Sequence, residues 1–261
     1  MKKLFQPFHL VTFSPWPLLL SFSILMMMFS MINIFYYFEF KLMLFSLMCM
    51  LICMYQWWRD VVRESTYQGF HTDKVLLGIK FGMILFIISE LFFFFSIFWG
   101  YFHMFLSPSI EIGCIWPPKN ILGFNYLMIP LLNTIILLSS GVSVTLCHYS
   151  LIISNKKMSL VSMLITVMLG LIFTLFQYLE YKESTFSISD SVYGSLFFMS
   201  TGFHGLHVLI GSIFLLLNFF RIMLNNYSSI HHFGFEAAVW YWHFVDLVWL
   251  FLYLLIYYWS Y

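Results

Sequence analysis

The apolar positions of the chain gather into seven long stretches separated by short polar connections. A membrane-spanning helix needs about 20 mostly apolar residues, and each stretch meets that length. The pattern predicts helices from about Trp16 to Phe38, Lys41 to Trp58, Leu77 to Leu106, Tyr126 to Ile153, Met158 to Tyr181, Ser191 to Leu224 and Phe233 to Trp259. Pro15 and Pro17 suit the first turn of the first helix, and Pro108 stops the third. Tyr and Trp collect at span ends, as at Trp57-Trp58 and Tyr257-Tyr258-Trp259, in the manner of an interfacial belt.

If the connections alternate across the bilayer, Lys2, Lys3, Arg59, Arg63, Lys74, Lys80, Lys156, Lys157 and Arg221 share the N-terminal side, and only Lys41, Lys119 and Lys182 fall on the other. Such a bias supports an odd number of spans with the N-terminus on the positive side. No inverted repeat of the transporter kind is visible. The connections are too short for a second domain, so the expectation is a single integral membrane domain over residues 1–261.

Composition closes the other options. The chain of 261 residues is 62% hydrophobic and 9% charged, against about 25% charged in an average soluble domain. Too few polar side chains remain to cover a water-facing surface, and 22% aromatic content argues against disorder. A net charge of +1 gives no reason to expect nucleic acid. There are 33 Phe and 17 Met but only two Ala, Ala237 and Ala238. Helix propensity gives no reason to avoid Ala, so the skew points to an AT-rich genome such as an organelle's. The N-terminal segment lacks the short apolar core and cleavage site of a signal peptide. Cys49 and Cys53 form a C-x3-C within an apolar run with no second pair, which reads as buried thiols, so no metal set is expected.

Four places are energetically expensive. Glu90 lies near the middle of the third span, where a carboxylate must be neutral, paired or hydrated. It reads either as a proton-linked group or as a structural acid hydrogen-bonded to a neighbouring helix. His204 and His207, i and i+3 on the sixth span at similar depth, are its candidate partners. A haem role wants spaced histidine pairs on two helices, and no two helices supply them. The segment Tyr55-Gln56-Trp57-Trp58-Arg59-Asp60-Val61-Val62-Arg63-Glu64 closes the second span with aromatics and paired charges. With Arg221 on the same side, it reads as a seat for an anionic lipid headgroup, or else as a belt with local ion pairs. Glu236, His243 and Asp246 are polar groups of the last span; His243 and Asp246 stand i, i+3. A satisfied network or a subunit contact is the expectation there. No phosphate loop, H-E-x-x-H or nucleophile elbow occurs, so no catalytic residue is expected.

The segments Ser14-Pro15-Trp16-Pro17, Met54 to Gly69, Gly82 to Glu90, Trp116-Pro117-Pro118, Pro130 to Thr134, Gly202 to Val208 and His231 to Tyr253 resemble the mitochondrial cytochrome c oxidase subunit III family nearly end to end. The resemblance implies an all-α polytopic membrane protein. Its seven transmembrane helices would fall in a two-plus-five arrangement, helices 1–2 over about 16–58 and helices 3–7 over about 77–259, around a lipid-filled V-shaped cleft. It implies a non-catalytic core subunit of respiratory complex IV, with no redox centre in this chain. Haem a, haem a3 and copper would belong to partner subunits. The implied partners are subunits I and II, small accessory subunits and anionic phospholipids. The subunit would brace subunit I, hold structural phospholipid and sustain proton uptake. Glu90 matches the family's buried carboxylate. Trp58, Arg63, Glu64, His71 and Arg221 match positions that look like the lipid-cleft set, to which Tyr55 and Arg59 are added. The implied location is the mitochondrial inner membrane, N-terminus in the matrix and C-terminus in the intermembrane space.

The chain departs from the family pattern at Cys147-His148-Tyr149, where a histidine pair is usual, at Ile115, and at Met104-Phe105. These departures are assigned to the intermembrane-side loop or helix ends. A stand-alone proton-coupled transporter using Glu90 is the competing reading, but it wants broken helices and a polar midplane cavity. A b-type haem protein is a weaker third.

Overall fold

A computed structural model describes residues 8–260; Lys2 and Lys3, used in the charge reading, lie outside the described residues. Among these the protein is all-helical. The helices are α1 (Trp16–Tyr37), α2 (Lys41–Thr66), α3 (Asp73–Leu106), α4 (Ile129–Ile152), α5 (Lys156–Glu183), α6 (Ser191–Met223) and α7 (Phe233–Leu252), the last continued by a π-helical stretch, Tyr253–Tyr258. All seven are long and apolar enough to cross a membrane.

Helix ends differ from the sequence reading where hydropathy and hydrogen bonding part company. α2 continues about two turns beyond Trp58, to Thr66. Falling hydropathy there marks where the helix leaves the bilayer rather than where its backbone ladder stops. α3 begins earlier than Leu77, at Asp73, an acid placed in the first turn where it complements the positive end of the helix dipole. α4 begins at Ile129 rather than Tyr126, with Pro130 in its first turn. Asn155 caps α5, its side-chain oxygen accepting from the Met158 N–H at 3.3 Å.

Close contacts sort the chain into two compact units, Met1–Ile79 and Lys80–Tyr261. In the first, α1 and α2 form a hairpin joined through Phe38–Phe40. They meet at small residues. Ser23, Ser30 and Ser46 are buried, and the Ser30 and Ser46 hydroxyls lie 3.5 Å apart, letting the backbones approach as membrane helices do. At the hairpin's open end, Trp16 Nε1–H donates to Asp60 Oδ2 at 2.6 Å.

The second unit is built around α7. More than half of its apolar stretch is buried, 56%, against 11% for α3. α4 packs on α5, α5 on α6, and α7 against both α4 and α6. Trp242 sits at the centre, fully buried, its Nε1–H donating to Ser140 Oγ on α4 at 2.9 Å. α3 reaches the rest of this unit through long side chains, with Phe93 edge-on to Phe203 at 5.0 Å and Phe86 stacked near Tyr241 at 6.2 Å. Its other face carries Leu85, Phe92, Phe95 and Trp99, all exposed. That is the expected surface of a helix whose solvent is hydrocarbon.

Candidate functional site

Glu90 stands at the middle of the 34-residue α3. His207 of α6 comes to it, Nε2 lying 3.0 Å from Glu90 Oε2. His207 Nδ1 lies 2.7 Å from the carbonyl of Phe203, one turn back. A carbonyl only accepts, so Nδ1 carries the hydrogen. Nε2 then meets Glu90 in one of two ways. Either a protonated Glu90 donates to neutral imidazole, or an imidazolium donates to a carboxylate. Both share one proton across the contact and leave the pair with no net charge, which is what a low-dielectric depth demands. Phe93 and Phe94 flank the imidazole at 6.4 and 5.0 Å.

His204 does not join this pair. It is buried, and its Nε2 lies 3.2 Å from the backbone carbonyl of Val245, with its ring against Phe173 and Trp249. Three residues along α6, about 60° around its axis, separate a pairing histidine from a packing one.

In the first unit, the end of α2 holds a charge cluster. Asp60 accepts from Arg59 Nη2 at 3.0 Å and faces Arg63 Nη1 at 3.9 Å, besides the bond from Trp16. Two guanidiniums therefore share one carboxylate, and a positive charge is left over. Arg63 is half-exposed; Tyr55 and Trp58, earlier on the same helix, are exposed at 68% and 64%. Glu64 is engaged elsewhere, accepting from the Thr12 hydroxyl at 3.2 Å and facing His9 Nε2 at 3.8 Å. His9, Glu64, His71 and Lys74, with Val61, Val75 and Ile79, line a cavity of about 380 Å³. Six of the seven residues expected to hold lipid thus belong to this unit.

The seventh, Arg221, belongs to the second unit at the end of α6. Its guanidinium carbon lies 4.3 Å from the centre of the Tyr227 ring, a cation–π contact. Its Nε is buried without a hydrogen-bond partner among the described residues. Burial pushes the Tyr227 phenol well above the ordinary tyrosine value, although the Arg221 cation opposes this. Tyr227 therefore stays a neutral donor, to Asn218 Oδ1.

Around the start of α7, Glu236 pairs with Lys80 of α3, Oε2 to Nζ 3.0 Å, and faces His232 Nε2 through Oε1 at 3.5 Å. His148, near the end of α4, lies 3.2 Å from His232, Nε2 to Nε2. Sequence reasoning counted Lys80 as a connecting-segment cation; it is a helical residue that pairs. The reading that put Cys147-His148-Tyr149 and Ile115 at the same face of the membrane is corrected as well. His148 stands at the end of α4 that leads into the Asn155–Lys156 turn, opposite the end where Ile115 lies, because the chain crosses once between them. His243 and Asp246 approach to 3.9 Å, with Asp246 buried and His243 partly exposed. Glu180, fully buried on α5, went unnoticed. Gln177 three residues earlier, also buried, is the signal that marked an inward polar face.

Residues 6–261 match the family model for cytochrome c oxidase subunit III. The chain is 55% identical over 255 residues to cytochrome c oxidase subunit 3 of Heterololigo bleekeri, covering 98% of each chain. It is 55% identical to that of Rhipicephalus sanguineus, covering 98% of this chain and all of the relative. To that of Prototheca wickerhamii it is 52% identical over 257 residues, covering 98% of each chain.

Proposed function

Because this chain belongs to the cytochrome c oxidase subunit III family, whose members are subunits of the respiratory complex IV enzyme, we propose that it acts there as a non-catalytic core subunit. In this reading it braces subunit I, holds structural anionic phospholipid and sustains proton uptake, lying in the mitochondrial inner membrane with its N-terminus in the matrix. Haem and copper chemistry belongs to the partner subunits.

The observation that carries the lipid role is the unbalanced charge on α2: Arg59 and Arg63 share Asp60, while Arg63, Tyr55 and Trp58 face outward. A surplus cation set among aromatics at a span end suits a phosphate headgroup, the aromatics taking the glycerol and upper acyl region. Arg221, at the end of α6 in the second unit, supplies a further cation of the same chemistry. The Glu90–His207 pair supports the proton-linked part of the reading, since a shared proton at mid-span is ready to answer a change in nearby charge.

Arg63→Ala combined with Arg221→Ala tests the lipid role in the purified oxidase. The expected result is fewer bound anionic phospholipids by mass spectrometry and faster loss of activity during turnover, with the initial rate nearly unchanged. Unchanged lipid content rejects the role.

A further inference from the structure

We propose that His148, His232 and Glu236 form a binding site for a divalent transition-metal ion of the zinc class. One ligating atom from each lies within 4.8 Å of the others. The distances suit one shared ion. Zinc bonds to nitrogen and oxygen are about 2.0–2.1 Å, which puts the edges of a tetrahedron at about 3.3–3.5 Å. The Nε2 to Nε2 distance is 3.2 Å, and His232 Nε2 to Glu236 Oε1 is 3.5 Å.

The surroundings orient the ligands. His232 Nδ1 lies 3.0 Å from the carbonyl of Ser228, so Nδ1 bears the hydrogen and the lone pair on Nε2 points at His148 and Glu236. A carbonyl behind a ligating imidazole is the usual outer support of a metal histidine. Lys80 holds Glu236 Oε2 at 3.0 Å, which fixes the carboxylate and leaves Oε1 on the side of His232. His232 is buried and Glu236 nearly so, and the Phe235 ring lies 5.7 Å from His148. The three ligands are thus wholly or partly withdrawn from the surface. Two imidazoles exclude magnesium and calcium, which prefer oxygen, and suit zinc.

The site is assembled from the end of α4 and the first turn of α7, where His232 and Glu236 stand i, i+4 on one face. Neither the lipid nor the proton reading above supports it or depends on it. Without a metal, the 3.2 Å contact is an N–H···N hydrogen bond from His148 to His232, and this is the alternative that the test must separate.

The test uses the intact oxidase complex carrying this chain, stripped with a chelator and then dialysed against radioactive Zn²⁺ at micromolar free concentration. The wild type is expected to hold one exchangeable zinc more per complex than either Glu236→Gln or His232→Ala, with affinity in the variants down at least 100-fold. Zinc X-ray absorption needs no variant: the difference between loaded and stripped wild type is expected to show two imidazoles and one carboxylate. Equal zinc in wild type and variants, or a loaded spectrum lacking the imidazole pair, overturns the site.

Discussion

At the scale of single residues, the hydrogen on His207 Nδ1 decides what Glu90 can do. Since Phe203 O fixes that hydrogen, the Glu90–His207 contact needs one shared proton, and a neutral donor at position 90 can replace the acid. Glu90→Gln is therefore expected to keep the contact, its amide N–H donating to Nε2, with assembly and the haem spectrum of the complex nearly unchanged. Glu90→Leu leaves the imidazole nitrogen unmet, at a cost of about 1–3 kcal/mol. Thermal denaturation of the two complexes compares them: a Gln variant as unstable as the Leu variant would mean that the native contact requires a charge. Glu90 and His207 were legible because intramembrane acids are conspicuous. That His204 turns away was not, because i, i+3 spacing leaves both histidines on roughly one face and only the positions of α3, α5 and α7 assign them different neighbours.

At the scale of helices, packing in the second unit depends on absent side chains. A Cβ at Gly170 on α5 would stand 2.8 Å from the Trp242 ring, and one at Gly211 on α6 3.0 Å from it. The indole is held by its bond to Ser140 and has no room to retreat. Gly170→Ala is thus expected to destabilise the bundle by about 1–3 kcal/mol through overpacking, despite the better helix propensity of Ala. Gly205→Ala, on the same helix as Gly211 but with open space at its Cβ, is the control and is expected to be neutral or mildly stabilising. A melting series on the purified complex separates them; equal melting temperatures for the Gly170 and Gly205 variants would remove Trp242 from the centre of the argument. The sequence showed these glycines but not their partner, since the three helices meeting at Trp242 are far apart along the chain.

At the scale of the whole molecule, the distribution of Lys and Arg predicts which side each connection faces. Cys114 is exposed in the connection between α3 and α4, which a matrix N-terminus puts in the intermembrane space. A membrane-impermeant maleimide is expected to label it in mitoplasts with an intact inner membrane, and Cys114→Ser is expected to remove the label. Labelling that appears only after the inner membrane is permeabilised would reverse the orientation. The other cysteines lie on helices, with Cys147 buried and Cys49 and Cys53 partly so, so the label reports one position.

The sequence by itself determined the solvent, the number of crossings and the family. These follow from local quantities: runs of apolar residues long enough for a bilayer, and motifs read in order along the chain. Even the acid at mid-span needs only its distance from a helix end. Tertiary structure alone decided which groups satisfy which. It joined Glu90 to His207, turned His204 onto Val245, paired Lys80 with Glu236, and brought His148 to His232 across 84 positions of sequence. Buried polar groups must find partners wherever the helices happen to meet, and helix rotation and contact carry no signature in a pattern that every apolar face repeats.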